Sequence, residues 1–257
     1  MPGGIHPIVI VYAAVLGAVV GSFLNVVVYR VPRRLSVVTP RSFCPRCERS
    51  IRWYENIPVM SWLALGGRCR GCREPISWRY PLVEVASAGL AALGVAQYGL
   101  TVLTLEVVLF GWISLALGLI DLEHQILPDV ITYPSIALGL GFSFFGGWTT
   151  PLSSVVGAAV GAGLPIAVIL LYRWMRGEEG MGWGDVKYLA AIGAVVGARD
   201  CVRILILASV VGAALGIGLI MAGRGSSKTA LPFGTFLALA VLLWLFAPPA
   251  WRAALPF

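Results

Sequence analysis

The sequence predicts an all-α polytopic membrane protein of about eight transmembrane helices, with a small cytoplasmic zinc-binding module between helices 1 and 2. Three observations predict it. Of 257 residues, 58% are hydrophobic and only 12% charged, with a mean hydropathy of +0.87. A soluble domain of that composition would expose too much apolar surface. The apolar residues fall into runs, several near the roughly 20 residues that span a bilayer as a helix. Finally, 11 of the 19 Lys and Arg residues lie between Arg30 and Arg79, in the one long polar segment. A net charge of +7 would suit a nucleic-acid partner, but no basic run is interleaved with aromatics for base stacking. Basic loops beside membrane spans are instead an orientation signal, so the partner expected is the lipid bilayer and not nucleic acid.

The first helix is expected over 8–30. It has no basic residue before it and no small-residue cleavage site after it, which reads as a retained helix rather than a removed signal peptide. Gly17 and Gly21 give it a small-residue face for close helix contact. Asn25 lies within the span, and an inter-helix hydrogen bond outweighs a catalytic role for it. Further helices are expected over 81–98, 102–120, 130–147, 153–172, 185–198, 202–222 and 233–250. The sixth is short for a full crossing. Glu84 sits one turn inside the second, where the helix dipole favours a carboxylate whether or not it is catalytic. With the N-terminus outside, eight spans put 16 of the 19 basic residues on the cytoplasmic side and leave only Arg199, Arg203 and Arg252 opposite. The same layout brings Asp121 and Asp185 to one cytoplasmic face. It divides the chain into a first helix (1–30), a polar module (31–80) and a seven-helix domain (81–257).

The polar module carries Cys44-Pro-Arg-Cys47 and Cys69-Arg-Gly-Cys72, separated by 21 residues. Each Cys-x-x-Cys turn presents two thiolates, and two turns complete a tetrahedral site. The cytoplasmic placement argues against disulfides. Zinc, or an iron in the same site, is expected on Cys44, Cys47, Cys69 and Cys72. A module of about 50 residues has little core, so the metal would supply much of its folding energy.

Two carboxylates stand at the edges of apolar runs, Asp121 in Ile120–Asp129 and Asp185 in Gly180-Met-Gly-Trp-Gly-Asp-Val-Lys187. An ionisable group there is costly to desolvate and marks function by default. Two carboxylates sharing one site hold one proton between them near neutral pH. The ionised member activates water and the protonated one polarises a peptide carbonyl, which is general acid–base hydrolysis without a covalent intermediate. Gly182, Gly184 and Lys187 are expected to support the site. The bland alternative for any one Asp is a helix cap or a pairing with Lys187. It is strong for Asp129, which precedes an apolar run, and weaker for Asp121 at a helix C-terminus. His124 is closest in sequence to Asp121, but a solvent-facing loop histidine is the simpler reading. No serine or cysteine triad competes, because the only histidines are His6 and His124.

The motifs resemble those of type IV prepilin peptidases, the bifunctional leader peptidases and N-methyltransferases of type IV pilus and type II secretion systems. The resemblance runs through Gly21-Ser-Phe-Leu-Asn25, Tyr29-Arg-Val-Pro32, both cysteine turns, Glu55-Asn-Ile-Pro58 and Arg79-Tyr-Pro-Leu-Val-Glu84. It continues through Asp121 to Asp129, Gly180 to Lys187 and Pro232-Phe-Gly234. The Gly-x-Gly-Asp element is shared with presenilin-like intramembrane aspartic proteases. The resemblance implies that Asp121 and Asp185 are catalytic, in a protein of the bacterial inner membrane whose site faces the cytoplasm. It implies type IV prepilins or pseudopilins as substrates, cut after Gly behind a short basic leader. It also implies methylation of the new N-terminus by S-adenosylmethionine, for which the sequence offers no nucleotide-binding fingerprint and no assignable residues. The rival reading is a membrane transporter with an Asp121–Asp185 proton relay and a zinc docking module; no inverted repeat of interrupted helices supports it. A non-catalytic scaffold would leave two well-placed Asp residues unexplained.

Overall fold

The computed structural model describes residues 5–177, 181–224 and 231–254, and Gly180, which opens the glycine-rich motif, lies outside them. The described residues fold as two compact units, 1–100 and 101–257. Four helices, Pro7–Arg30, Val102–His124, Pro151–Arg176 and Trp183–Met221, are long and apolar enough to cross a membrane, and Phe233–Phe246 is a shorter apolar helix. The chain is a multi-pass, helical membrane protein.

In the first unit, α1 (Pro7–Arg30) packs against α3 (Arg79–Tyr98). The glycine face seats the pair. A Cβ on Gly17 would lie 2.5 Å from the Ser87 carbonyl oxygen, and one on Gly21 would lie 2.7 Å from the Glu84 Cα. Asn25, buried in α1, donates through Nδ2 to the Tyr80 carbonyl at 3.1 Å. It ties the two helices, as expected. Between them lie a 3₁₀ turn (Trp53–Asn56), the short α2 (Met60–Ala64) and the two cysteine turns.

The second unit contains α4 (Val102–His124), α5 (Asp129–Phe142), α6 (Pro151–Arg176), α7 (Trp183–Met221), α8 (Phe233–Phe246) and α9 (Pro249–Ala254). Its core is the first half of α7, buried almost continuously from Val186 to Gly197. On one side α6 packs against it through small residues. A Cβ on Gly157 would overlap the Gly193 carbonyl, and the buried Ser154 hydroxyl donates to the Ala194 carbonyl at 2.6 Å. On the other sides α5 and α8 pack against α7, and α4 packs against α8.

Several boundaries differ from the sequence expectation, among them the ends of α6 (Arg176 rather than 172) and α8 (Phe246 rather than 250), and three others have a backbone reason. Hydropathy falls at residue 120, but α4 runs on to His124, because Gln125 takes a left-handed conformation (φ 52°, ψ 38°) and its N–H bonds the Asp121 carbonyl at 2.8 Å. Asp121 therefore sits in the last helical turn, not after it. The α5 helix stops at Phe142 rather than 147, ahead of Gly146 at φ 81°. The expected sixth and seventh helices follow each other without a loop. Gly197 (φ 81°, ψ 171°) alone breaks the helical path within Trp183–Met221.

Candidate active site

Asp121, in the last turn of α4, and Asp185, in the first turn of α7, line the same cavity of about 250 Å³. Gly182, Gly184, Lys187 and the α4–α5 connection Gln125-Ile126-Leu127 complete its wall. Asp185 gains from its place at the start of a helix, where the dipole favours negative charge by about 0.3–1 kcal/mol. Asp121 is at the wrong end of its own helix for that. The compensation comes from α8. The Thr235 N–H donates to Asp121 Oδ2 at 2.7 Å, and the Thr235 hydroxyl lies 3.1 Å from the same oxygen and 3.0 Å from the Gly118 carbonyl. The Gly234 N–H also faces Asp121. A hydrogen bond to a charged group contributes about 1.5–3 kcal/mol, more than a helix end provides alone. Asp121 is 5% exposed, so these donors replace water that burial has removed.

The expected supporting residues divide. Gly184 allows close approach: an added Cβ would stand 3.0 Å from Leu127 Cβ, forcing the connection off the cavity. At Gly182 an added Cβ would be in ordinary contact, 3.4 Å from Asp185 Oδ2, so space does not demand glycine there. Lys187 forms an ion pair with Asp129 and lies over the Tyr133 ring at 5.5 Å, joining α7 to α5 beside the cavity. Asp129 is consequently a partner of Lys187. Pro128 occupies the N-cap of α5, and Asp129 is its first helical residue with no capping hydrogen bond. His124 ends α4, with Nε2 3.9 Å from Glu123 Oε2.

Sequence reasoning missed Thr235. The one signal available was the Pro232-Phe-Gly234 turn before an apolar run, which marks a helix start but not the carboxylate it faces. It also missed Glu106, fully buried in α4, which accepts from the Trp148 N–H at 2.6 Å and ties the α5–α6 connection. No motif marks it.

In the first unit, the sulfur atoms of Cys44, Cys47, Cys69 and Cys72 all lie within 4.8 Å of one another, a cluster that could hold a zinc ion. The two turns are built alike. Each first cysteine accepts at its carbonyl from the residue four on (Glu48, Arg73) and donates to the carbonyl five on (Arg49, Glu74). Glu48 and Arg73 share positive φ, 56° and 61°. Each turn is closed by an antiparallel bridge, Phe43 with Ser50 and Arg68 with Pro75. The Cys44–Cys72 sulfur separation of 3.8 Å is that of two corners of a tetrahedron with Zn–S bonds of about 2.3 Å. The donor set and its spacing fit zinc.

Beside this cluster, a cavity of about 380 Å³ is lined by Asn25, Arg30, Glu55, Asn56, Val59 and Glu84, among others. Arg49 donates to Glu55 at 2.8 and 3.1 Å and holds its carboxyl below the usual range, with the Arg52 N–H as a further donor. Glu84 is buried and accepts from the Val59 N–H at 2.7 Å. Val59 has φ 61° and ψ −50°, a conformation that a β-branched residue takes only under constraint.

Residues 15–98 match the model of the bacterial peptidase A24 N-terminal domain, and residues 108–217 that of the type IV leader peptidase family. A prepilin leader peptidase/N-methyltransferase of Pseudomonas putida is 42% identical over 91% of this chain and 90% of its own. The chain belongs to the type IV leader peptidase family. Proteins of the same description from Pseudomonas aeruginosa (39%, over 93% of this chain and 92% of the relative) and Aeromonas hydrophila (39%, over 88% and 87%) are similarly close. No solved structure matches the chain. The Asp121–Asp185 cavity falls within the span of the leader peptidase model, while the cysteine cluster and the second cavity fall within the N-terminal one.

Proposed function

We propose that this member of the leader peptidase family removes the short basic leader from type IV prepilins and pseudopilins and then N-methylates the new N-terminal residue. The observation that carries the cleavage reading is the pair of carboxylates from α4 and α7 on one cavity. Water between them loses a proton to the ionised carboxylate as its oxygen attacks the scissile carbonyl carbon. The protonated carboxylic acid gives its proton to the carbonyl oxygen. Collapse of the gem-diol returns a hydroxyl proton to the second carboxylate, while the first protonates the departing nitrogen. One water is consumed and the dyad ends as it began, holding one proton. Asp121 and Asp185 fill these roles, Gly184 keeps the Gln125–Leu127 connection close, and Lys187 fixes α7 to α5 through Asp129.

Eight spans, an outside N-terminus and a cytoplasmic site in the bacterial inner membrane complete the reading, supported by the basic residues between Arg30 and Arg79. The dyad then belongs to 81–257 and the metal to 31–80, with zinc on Cys44, Cys47, Cys69 and Cys72 as a structural ion. For methylation, the cavity of the first unit is of the size that encloses a small cofactor. Glu84, Asn25 and Asn56 are the polar groups we assign to S-adenosylmethionine there; bound, it supplies the electrophilic methyl group.

Purified protein incubated with a prepilin should shorten it by the leader and, given labelled S-adenosylmethionine, label the shortened product. An intact prepilin after incubation with well-folded enzyme contradicts the reading. Reporter fusions near Arg41 and Thr149 should report opposite compartments, and the same compartment for both removes the eight-span topology.

A further inference from the structure

We propose that Thr235 makes the two carboxylates unequal, holding the negative charge on Asp121 and leaving the shared proton on Asp185. The inference rests on the reading of this pair as the catalytic dyad. It assigns Asp121 as the group that takes the proton of the attacking water, and Asp185 as the acid that protonates the scissile carbonyl.

The start of α7 favours charge on Asp185 and the end of α4 disfavours it on Asp121, but the direct hydrogen bonds to Asp121 are stronger than a helix end. Asp121 Oδ2 receives the Thr235 N–H at 2.7 Å and stands 3.1 Å from the Thr235 hydroxyl, with the Gly234 N–H also turned to the carboxylate. Among the described residues, Asp185 has the Gly182 N–H turned toward it and accepts no hydrogen bond from a serine or threonine hydroxyl. Backbone N–H groups only donate, so they favour the carboxylate over the carboxylic acid. Among the described residues, the other charged groups do not reverse this. From α7 comes Lys187, already paired with Asp129 of α5. The α4 helix adds Glu123 and His124, which lie near each other. From α8 comes no ionisable side chain at all. Tyr188 of α7 is fully buried and neutral.

The hydroxyl has a second property. Thr235 Oγ1 also lies 3.0 Å from the Gly118 carbonyl oxygen, and it has one proton for two acceptors. When Asp121 is ionised, the hydroxyl can donate to it. Once Asp121 has taken a proton from water, the hydroxyl can turn to Gly118 and accept from the new acid. The rotor thus serves both states of one catalytic step, while the N–H sets which state is the resting one. Thr235 is a positioning residue, since it acts through Asp121.

The test is the pH dependence of cleavage of a purified prepilin, as kcat/KM, in full-length Thr235 variants. T235S keeps both donors and should keep the wild-type profile. T235V removes the hydroxyl, and T235P also removes the N–H, together with its 3.2 Å bond to the Pro232 carbonyl in the first turn of α8. Activity requires ionised Asp121, so losing donors moves the acid limb to higher pH. We expect a small shift for T235V and about one pH unit or more for T235P, the size of a lost charge-assisted hydrogen bond. Unmoved acid limbs in both variants, or rates lowered equally at every pH, overturn the assignment. If T235P does not fold, T235V against T235S decides. D121N and D185N separate the two layers: if either still cuts, the dyad reading itself fails. If both are inactive and the Thr235 series is flat, only this inference fails.

Discussion

The cysteine cluster and the carboxylate dyad solve the same problem, holding several like groups together, in opposite ways. Each cysteine turn is built within eight residues, by a bridge such as Phe43 to Ser50 and by hydrogen bonds that run four or five residues along the chain. The second turn repeats the first. Nothing remote is required except that two copies meet over a metal. The dyad is the reverse case. Asp121 takes its donors from Thr235, 114 residues away, and meets Asp185 only because α4, α7 and α8 pack together. A local site survives changes in the surrounding helices and would depend on the ion it is built to hold. A distributed one needs no ion but depends on helix packing.

That contrast can be broken most directly at the dyad. Asp121→Asn, Asp185→Asn and the double variant should each lower cleavage by roughly 10⁴-fold, to a similar depth, because members of one catalytic unit are strongly non-additive. Losses that multiply in the double variant, measured as kcat/KM on a prepilin, would mean two independent groups.

The next largest effect belongs to the metal. Changing Cys44, Cys47, Cys69 and Cys72 together to serine should reduce bound zinc from about one per chain to background. Structural zinc in such modules is worth about 10–16 kcal/mol of folding energy, so limited proteolysis should then cut within 31–80. Methyl transfer should fall much more than cleavage. Full zinc in the quadruple variant would move the site elsewhere.

Packing variants sharpen the comparison on the distributed side. Gly157→Ala drives a methyl group into the Gly193 carbonyl, and backbone cannot yield as a side chain does. We expect a loss of about 1–3 kcal/mol, read as a lower melting temperature in detergent, with cleavage reduced through displacement of α7. Gly234→Ala places its Cβ 3.0 Å from Asp121 Oδ2 and 2.9 Å from Leu127 Cδ1. It should lower cleavage with little effect on melting. Equal effects on both quantities in both variants would erase the distinction between a packing and a site glycine.

The smallest change is expected from Asp129→Asn. Asp129 is exposed, and an exposed ion pair contributes about 0.2–1 kcal/mol, so cleavage should fall less than about fivefold and less still at high salt. If Asp129→Asn abolishes cleavage while Asp121→Asn cuts normally, the dyad is Asp129 with Asp185.

The sequence by itself determined what depends on composition and short-range spacing. The apolar runs fix helices and membrane residence, since a bilayer leaves the backbone few other ways to satisfy its hydrogen bonds. The two Cys-x-x-Cys turns mark a cluster that could hold a metal, because tetrahedral thiolate geometry needs only a few residues of chain. Gly17 and Gly21 announce a close helix contact, and a place at the edge of an apolar run marks Asp121 and Asp185. Only the tertiary structure decided the rest. Hydropathy could not say where α4 ends, because a helix ends where its backbone is capped, here by left-handed Gln125. It could not tell capping from ion pairing at Asp129, since that depends on whether Lys187 reaches it from another helix. Nor could it find Thr235, an ordinary threonine at an ordinary helix start. Its part follows from where α8 begins relative to the last turn of α4, and that is set by helix packing over more than a hundred residues of chain.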